Sequence, residues 1–410
     1  MLKIKVKLII VGLILLTATN LFAQPLLTGY VRHYLGLRTH EEYDYTINQT
    51  TFDLTIDHSR GNGALLVNPY IYHYPEKELD IGLRQAYLDL YFDNLDIRLG
   101  KQQIVWGKAE GVFITDVVSP KDMREFLLPD FEEIRIGIPA IKLDYYFGND
   151  TFEFVWIPIF TSTKLPDKNS MWSSELKFPI TPTFDYSHKP IENTFENSEI
   201  FAKYSLWKST FDVEFMAGYM WDDEPTMHTE KNYENGQLEN IKVIPEHHRL
   251  TLGGGSFSTS IEGFVLRGES AYYDGKYFET SDQTITDGVI EQDYFHYLLG
   301  IDRTILDIDM SLQFIQQAIL EYEEHIQQDE FENMMTIRMN KSYLRETLRL
   351  ELFSYIGLND EDALIQAKLF YDFSDGISLT AGANIFIGNE GKFGQFDEND
   401  MVYTKATYSF

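Results

Sequence analysis

The feature that most constrains this chain is an alternation of apolar and polar residues with period two, repeated from end to end. In 211–221, Phe211, Val213, Phe215, Ala217, Tyr219 and Trp221 share one face, and Asp212, Glu214, Met216, Gly218 and Met220 share the other. In 306–314, Leu306, Ile308, Met310, Leu312 and Phe314 alternate with Asp307, Asp309, Ser311 and Gln313. Near the C-terminus, Ile377, Leu379, Ala381, Ala383, Ile385 and Ile387 repeat the pattern. Successive side chains of a strand point to opposite sides, so each run has one apolar face and one polar or small face. These runs are ~10 residues or longer, the length a tilted strand needs to cross a bilayer. Strands of soluble sandwiches are usually only ~5–6 residues long.

The connections between runs also alternate. Short ones fall at Asp93-Asn94, Lys208-Ser209 and 374–376, and long ones at 107–135, 164–196, 222–245, 275–291 and 388–400. Short turns at one end and long loops at the other are the pattern of an outer-membrane barrel. The fold expected is all-β: a single closed antiparallel transmembrane β-barrel of about 18 strands, 16 being the other count the pattern allows. Its first strand is placed at 26–37 and its last at 401–410. Aromatic residues make up 15% of the chain, and many lie near strand ends, where interfacial girdles place them.

The N-terminus supports export. Lys3, Lys5 and Lys7 precede the apolar stretch 8–16, and Ala23 stands just before the expected cut. The layout is that of a secretory signal peptide over 1–23, leaving 24–410 as the barrel. Mean hydropathy is only −0.26, as expected when every second strand residue meets lipid. There are no cysteines, which excludes a disulfide framework and a thiolate zinc site. The formal net charge of −30 disfavours a nucleic-acid partner. The acid gathers in loop-like segments such as 41–44, 222–224 and 397–400, read either as solubilising or as a binder of divalent cations that bridge lipopolysaccharide. The last strand alternates Val402, Thr404, Ala406, Tyr408 and Phe410. A terminal aromatic on such a strand resembles the signal read by the outer-membrane insertion machinery.

The loop 107–135 is the strongest functional candidate. Ser119, Pro120 and Asp122 stand in the order of a helix start, and a short helix is expected over about 120–128, ended by Pro129. The loop either folds inward and narrows a pore or lies on the rim; the inward arrangement is the expectation. By parity, Arg98, Gln102, Lys142 and Asp144 face the lumen beside it, and Lys108, Asp116, Lys121, Asp122 and Arg124 are the loop residues expected at the constriction. Other inward assignments include Arg267, Glu269, Asp307, Arg338, Glu351 and Lys368. Such charges either line a path for solutes or pair across strands and stabilise the wall.

The segments Leu99–Gly107 and Ser119–Arg124 resemble a family of porin-like outer-membrane barrels of Gram-negative bacteria, many known only as a domain of unknown function and similar in shape to the alginate-export barrels. The resemblance implies a barrel with an inward segment after the strand carrying Gly100, Lys101 and Gln102, and no agreed substrate. The mixed charges and acidic balance of this chain argue against a conduit for polyanions.

The function expected is passive passage of small polar solutes through the outer membrane. The alternative is a non-conducting structural or adhesive barrel. No Gly-x-Ser-x-Gly, zincin or phosphate-loop pattern occurs, so no catalytic residue, cofactor or metal site is assigned. Of the ten histidines, His247 and His248 beside Glu246 come closest to a metal ligand set. Neighbouring strand residues point to opposite faces, so the pair cannot easily serve one ion.

Overall fold

The structure is a computed structural model that describes residues 25–40, 44–75, 79–174, 178–234, 237–282 and 284–410. The segment 1–23, expected to be a signal peptide, lies outside the described residues, as do Glu41, Glu42 and Tyr43.

Eighteen strands form one antiparallel sheet. In chain order they begin with β1 (Leu26–Arg38), β2 (Tyr45–Arg60), β3 (Gly63–His73), β4 (Asp80–Tyr91), β5 (Leu95–Gln102), β6 (Ile138–Phe147) and β7 (Asp150–Ile157). A two-residue β8 (Thr183–Phe184) stands outside the barrel. The barrel continues with β9 (Glu199–Trp207) and β10 (Phe211–Trp221), leaves for β11 (Thr226–Glu234) and β12 (Gln237–Glu246), and resumes with β13 (Arg249–Ile261), β14 (Phe264–Glu279), β15 (Val289–Ile305) and β16 (Ile308–Ile319). It ends with β17 (Phe331–Tyr343), β18 (Leu348–Gly357), β19 (Asp362–Ser374), β20 (Ile377–Ile387) and β21 (Met401–Ser409). The sheet closes because β1 pairs with β2 on one side and β21 on the other, from Tyr30 opposite Ser409 to Arg38 opposite Met401. Closure leaves no unpaired edge, which a sheet in hydrocarbon requires.

The period-two pattern sorts as the residues dictate. On β10, Phe215 and Tyr219 are exposed outward while Glu214 and Met216 are buried inward. On β15 and β16, Leu299, Ile301 and Leu312 are exposed while Leu298 and Ile315 are buried. An outer surface covered with exposed Leu, Ile, Phe and Tyr has a large hydration cost in water and matches lipid. Phe92, Tyr145, Phe147, Phe211, Tyr343, Phe373 and Tyr408 are exposed at the end where connections are two to four residues long. They form the aromatic ring expected at one membrane interface.

The opposite end carries the long connections, up to the segment 158–198. There β8, β11 and β12 form a separate three-stranded sheet. This sheet lies within segments expected to be loops. The sequence Thr226–Glu234 carries no apolar alternation and owes its extended form to pairing with β12. The helix expected over 120–128 is also absent: that stretch makes a bridge and a turn, and the helix nearby is a single turn, α1 (Phe131–Ile134). The physical reason is that Ser119 does not cap. Its hydroxyl accepts from the Ile104 amide at 2.8 Å and donates to the Ile104 carbonyl at 3.0 Å. Asp307, assigned inward by parity, instead sits in a two-residue turn with φ of 58°.

Candidate functional site: the lumen and the segment crossing it

The segment 103–137 leaves β5 and makes its bonds to walls far from its origin. Its anchor is Glu269 on β14. Oε2 accepts from the backbone amides of Lys108 at 2.7 Å and Ala109 at 2.9 Å, and Oε1 accepts from the Thr115 amide at 2.7 Å and the Thr115 hydroxyl at 2.6 Å. A carboxylate holding three amides is a strong, charge-assisted clamp. Further round the barrel, Glu110 exchanges two bonds with Gln313 on β16, its amide donating at 3.0 Å and its carbonyl accepting at 2.7 Å. Its carboxylate meets Arg267 and Arg338. Tyr355 on β18 donates to the Gly111 carbonyl at 2.8 Å. On the return path, Glu133 receives Arg32 of β1 at 2.8 Å, and Asp130 receives Lys405 of β21 at 3.5 Å.

Two glycines make this path possible. Gly107 has φ of +84° and a Cβ there would meet the Glu269 carboxylate; Gly111 has φ of +80° and a Cβ would meet the Phe353 ring. A side chain at either place would be strained in backbone and crowded against the wall.

The aromatic faces of several segments meet inside. Phe126 lies 5.0 Å from Phe396 and 6.3 Å from Trp172 between ring centroids, and Trp172 lies 5.5 Å from Phe386. The interior on this side is therefore packed with apolar side chains, joined by Phe393 from α2 (Gly391–Gly394). Beside it, toward the end with long loops, lies a cavity of about 1250 Å³ bordered by Arg32, Tyr34, Tyr72, Tyr74, Arg124 and Trp172. Asp44, Asp80, Asp122, Glu125 and Asp167 also border it. Burial, with Asp122 and Glu133 nearby, pushes the Glu125 carboxyl above its usual range. Desolvation acts the same way on Asp122, but the Arg124 guanidinium and the Lys164 ammonium overcome it and hold Asp122 below that range.

The residues expected to line the constriction divide into three groups. Arg124 and Asp122 border the cavity, forked together at 2.7 Å. Arg98, Lys142 and Asp144 lie on the wall, each already paired. Arg98 forks onto Asp89 at 2.7 and 2.9 Å and stacks on Tyr87, and Lys142 binds Asp144 and approaches Glu153 at 3.7 Å. The remainder hold the segment in shape. Gln102 is fully buried and donates to the Ala140 carbonyl at 3.0 Å, so it faces no open lumen. Asp116 is buried against Arg135 at 2.7 Å and accepts from the Trp106 amide, so it offers no charge to a solute. Lys121 donates to the Asp116 carbonyl at 2.5 Å, and the Lys108 ammonium lies over Trp207. The anchors Glu269, Gln313 and Tyr355 were not expected at the site. Parity alone puts Glu269 on the inner face, but nothing local says that it receives a loop.

Sequence and structure comparisons agree with this architecture. The profile of a family described as protein of unknown function (DUF1302) matches residues 38–343. No curated protein matches the chain. Among solved structures, OpdL of Pseudomonas aeruginosa is similar with a TM-score of 0.55 at 10% identity, over 94% of this chain and 98% of its own. OccK8 (OprE) of the same organism is similar with a TM-score of 0.54 at 8% identity, over 94% and 97%. OccK2 (OpdF) of that organism, solved in complex with glucuronate, has a TM-score of 0.54 at 9% identity, over 94% and 96%.

Proposed function

The chain belongs to the family described as protein of unknown function (DUF1302), and from that membership and the closed barrel we propose an outer-membrane channel of a Gram-negative bacterium for small polar solutes, narrowed by the segment 103–137. The observation that carries the reading is this segment, bonded across the interior to Glu269, Gln313 and Tyr355 while a cavity of about 1250 Å³ stays beside it. A cavity of that size accepts a solute on the scale of a monosaccharide, and glucuronate in the structurally similar OccK2 supports that class. The border carries Arg32, Arg124 and Lys168 against Asp44, Asp80, Asp122, Glu125, Glu133 and Asp167, an excess of carboxylates over cations. Neutral or cationic solutes are therefore favoured over polyanions. Outer-membrane lipid and lipopolysaccharide, and the insertion machinery acting on Phe410, belong to the same reading.

The test is single-channel recording of the mature protein in a planar bilayer under a salt gradient. The expected result is stable steps with a reversal potential on the cation side. A folded, heat-modifiable barrel that never conducts would favour a second reading, a structural or adhesive barrel. The observation on that side is the aromatic packing of Phe126, Trp172, Phe386, Phe393 and Phe396.

A further inference from the structure

We propose a binding site for a divalent transition-metal ion, of the zinc, copper(II) or nickel class, between His228 and His248 in the sheet above the barrel. His228 sits on β11 opposite Ile244 of β12. His248 follows β12 and immediately precedes β13, where its carbonyl accepts from the Asp222 amide at 2.7 Å. The two rings are 20 positions apart in sequence, yet their Nε2 atoms stand 2.8 Å from each other.

Each ring is held from behind. The Asp287 carboxylate lies 3.6 Å from His228 Nδ1, and its backbone carbonyl accepts from the Thr229 amide at 2.7 Å, so it is tied to the same strand. His248 stacks on Tyr277 with centroids 3.8 Å apart. At 3.6 Å the Asp287 carboxylate acts on His228 by its charge, which favours a proton on the Nδ1 facing it and so the tautomer with a free Nε2. In that tautomer His228 accepts, and His248 donates the one proton between them. Transfer of that proton to its own Nδ1 frees the second Nε2. Tetrahedral coordination at ~2.0–2.1 Å per bond needs the two nitrogens about 3.3 Å apart, a small spreading of the present pair. Two imidazoles without a thiolate fit zinc, copper(II) or nickel rather than the oxygen-seeking calcium or magnesium.

Among the described residues no group of three histidine, cysteine or carboxylate side chains converges. Water fills the remaining positions, and the ion is weakly held and exchangeable. His247 takes no part, because its Nδ1 meets the Asp222 carbonyl at 2.7 Å. The pairing of neighbouring histidines considered from the sequence is thus replaced by one across the sheet.

The experiment is calorimetric titration of the purified, folded protein in detergent with zinc chloride, then nickel chloride, with calcium chloride as comparison. The expected result is one equivalent of zinc or nickel bound and no calcium competition. His228→Ala and His248→Ala each abolish it, His247→Ala leaves it, and Asp287→Asn weakens it by about tenfold or more. His228→Gln retains a polar partner for His248 and guards against loss through unfolding: it should stay heat-modifiable and bind no ion. The proposal is overturned if the wild-type protein binds no stoichiometric ion, or if binding persists in both His228→Gln and His248→Ala. Neither result depends on whether the barrel conducts.

Discussion

Glu269→Gln is the substitution that most directly tests whether the crossing segment is a fixed constriction. The carboxylate accepts four bonds from Lys108, Ala109 and Thr115. The amide keeps one acceptor oxygen and turns the other position into a donor facing backbone N–H groups. At least two charge-assisted bonds are lost, each contributing ~1.5–3 kcal/mol. Their sum is not additive, so the lower bound of about 3 kcal/mol is the safer figure. At 1.4 kcal/mol per tenfold, the ratio of released to docked segment rises by roughly a hundredfold. The assay is single-channel recording beside the wild type, with heat-modifiability confirming the barrel. The variant should show larger or flickering steps, because the path through β14 and β16 is no longer blocked by 107–115. Identical conductance and noise in a folded variant would refute the argument that Glu269 holds the segment, and would leave its four bonds as a feature of the wall alone.

Four further outcomes are expected. Gly107→Val places a branched side chain at φ of +84° against Glu269, so its recordings should resemble those of Glu269→Gln. Arg98→Ala removes the forked partner of Asp89, which keeps the Tyr91 hydroxyl, at a cost of about 1–3 kcal/mol, and should lower the urea midpoint and shift the reversal potential further to the cation side. Burial favours the protonated form of Glu125 in the folded loop; its contribution is present below the ordinary glutamate value of ~4.3 and lost as pH rises through the raised folded value. Open-channel noise should therefore grow over that rise in the wild type, and Glu125→Gln, neutral throughout, should flatten the dependence. Deletion of Phe410 removes two backbone bonds to Gly29 at 3.0 Å and should lower assembly in cells, read as heat-modifiable protein in the outer membrane, more than refolding in detergent.

All eighteen barrel strands were legible because one physical constraint writes them: a strand between lipid and lumen must alternate. Polar β11 lacked that constraint, since neither of its faces meets lipid. The site was legible by side but not by partner. Parity put Arg98, Lys142 and Asp144 on the inner face, but pairing depends on register, which sets Arg98 of β5 opposite Asp89 on β4 and opposite Lys142 on β6. Asp116 and Gln102 illustrate the limit. A charged side chain in a loop or an amide on the inner face of a strand reads as accessible, and only the three-dimensional neighbour, Arg135 or the Ala140 carbonyl, shows that it is buried. The helix over 120–128 failed for a related reason: its would-be cap was engaged by Ile104, fifteen positions earlier.

The seam between β1 and β21 also sets a schedule. Tyr30 faces Ser409, a partner 379 residues downstream. At ~5–20 residues per second of synthesis, the first strand waits roughly 20–75 s for the last to exist. Throughout that interval its β2 edge can pair but its other edge is a sticky ribbon with nothing to zip to, so the chain's survival rests on being shepherded, and a stop codon that trims only the final strand would leave the barrel as open as one that trims half of it.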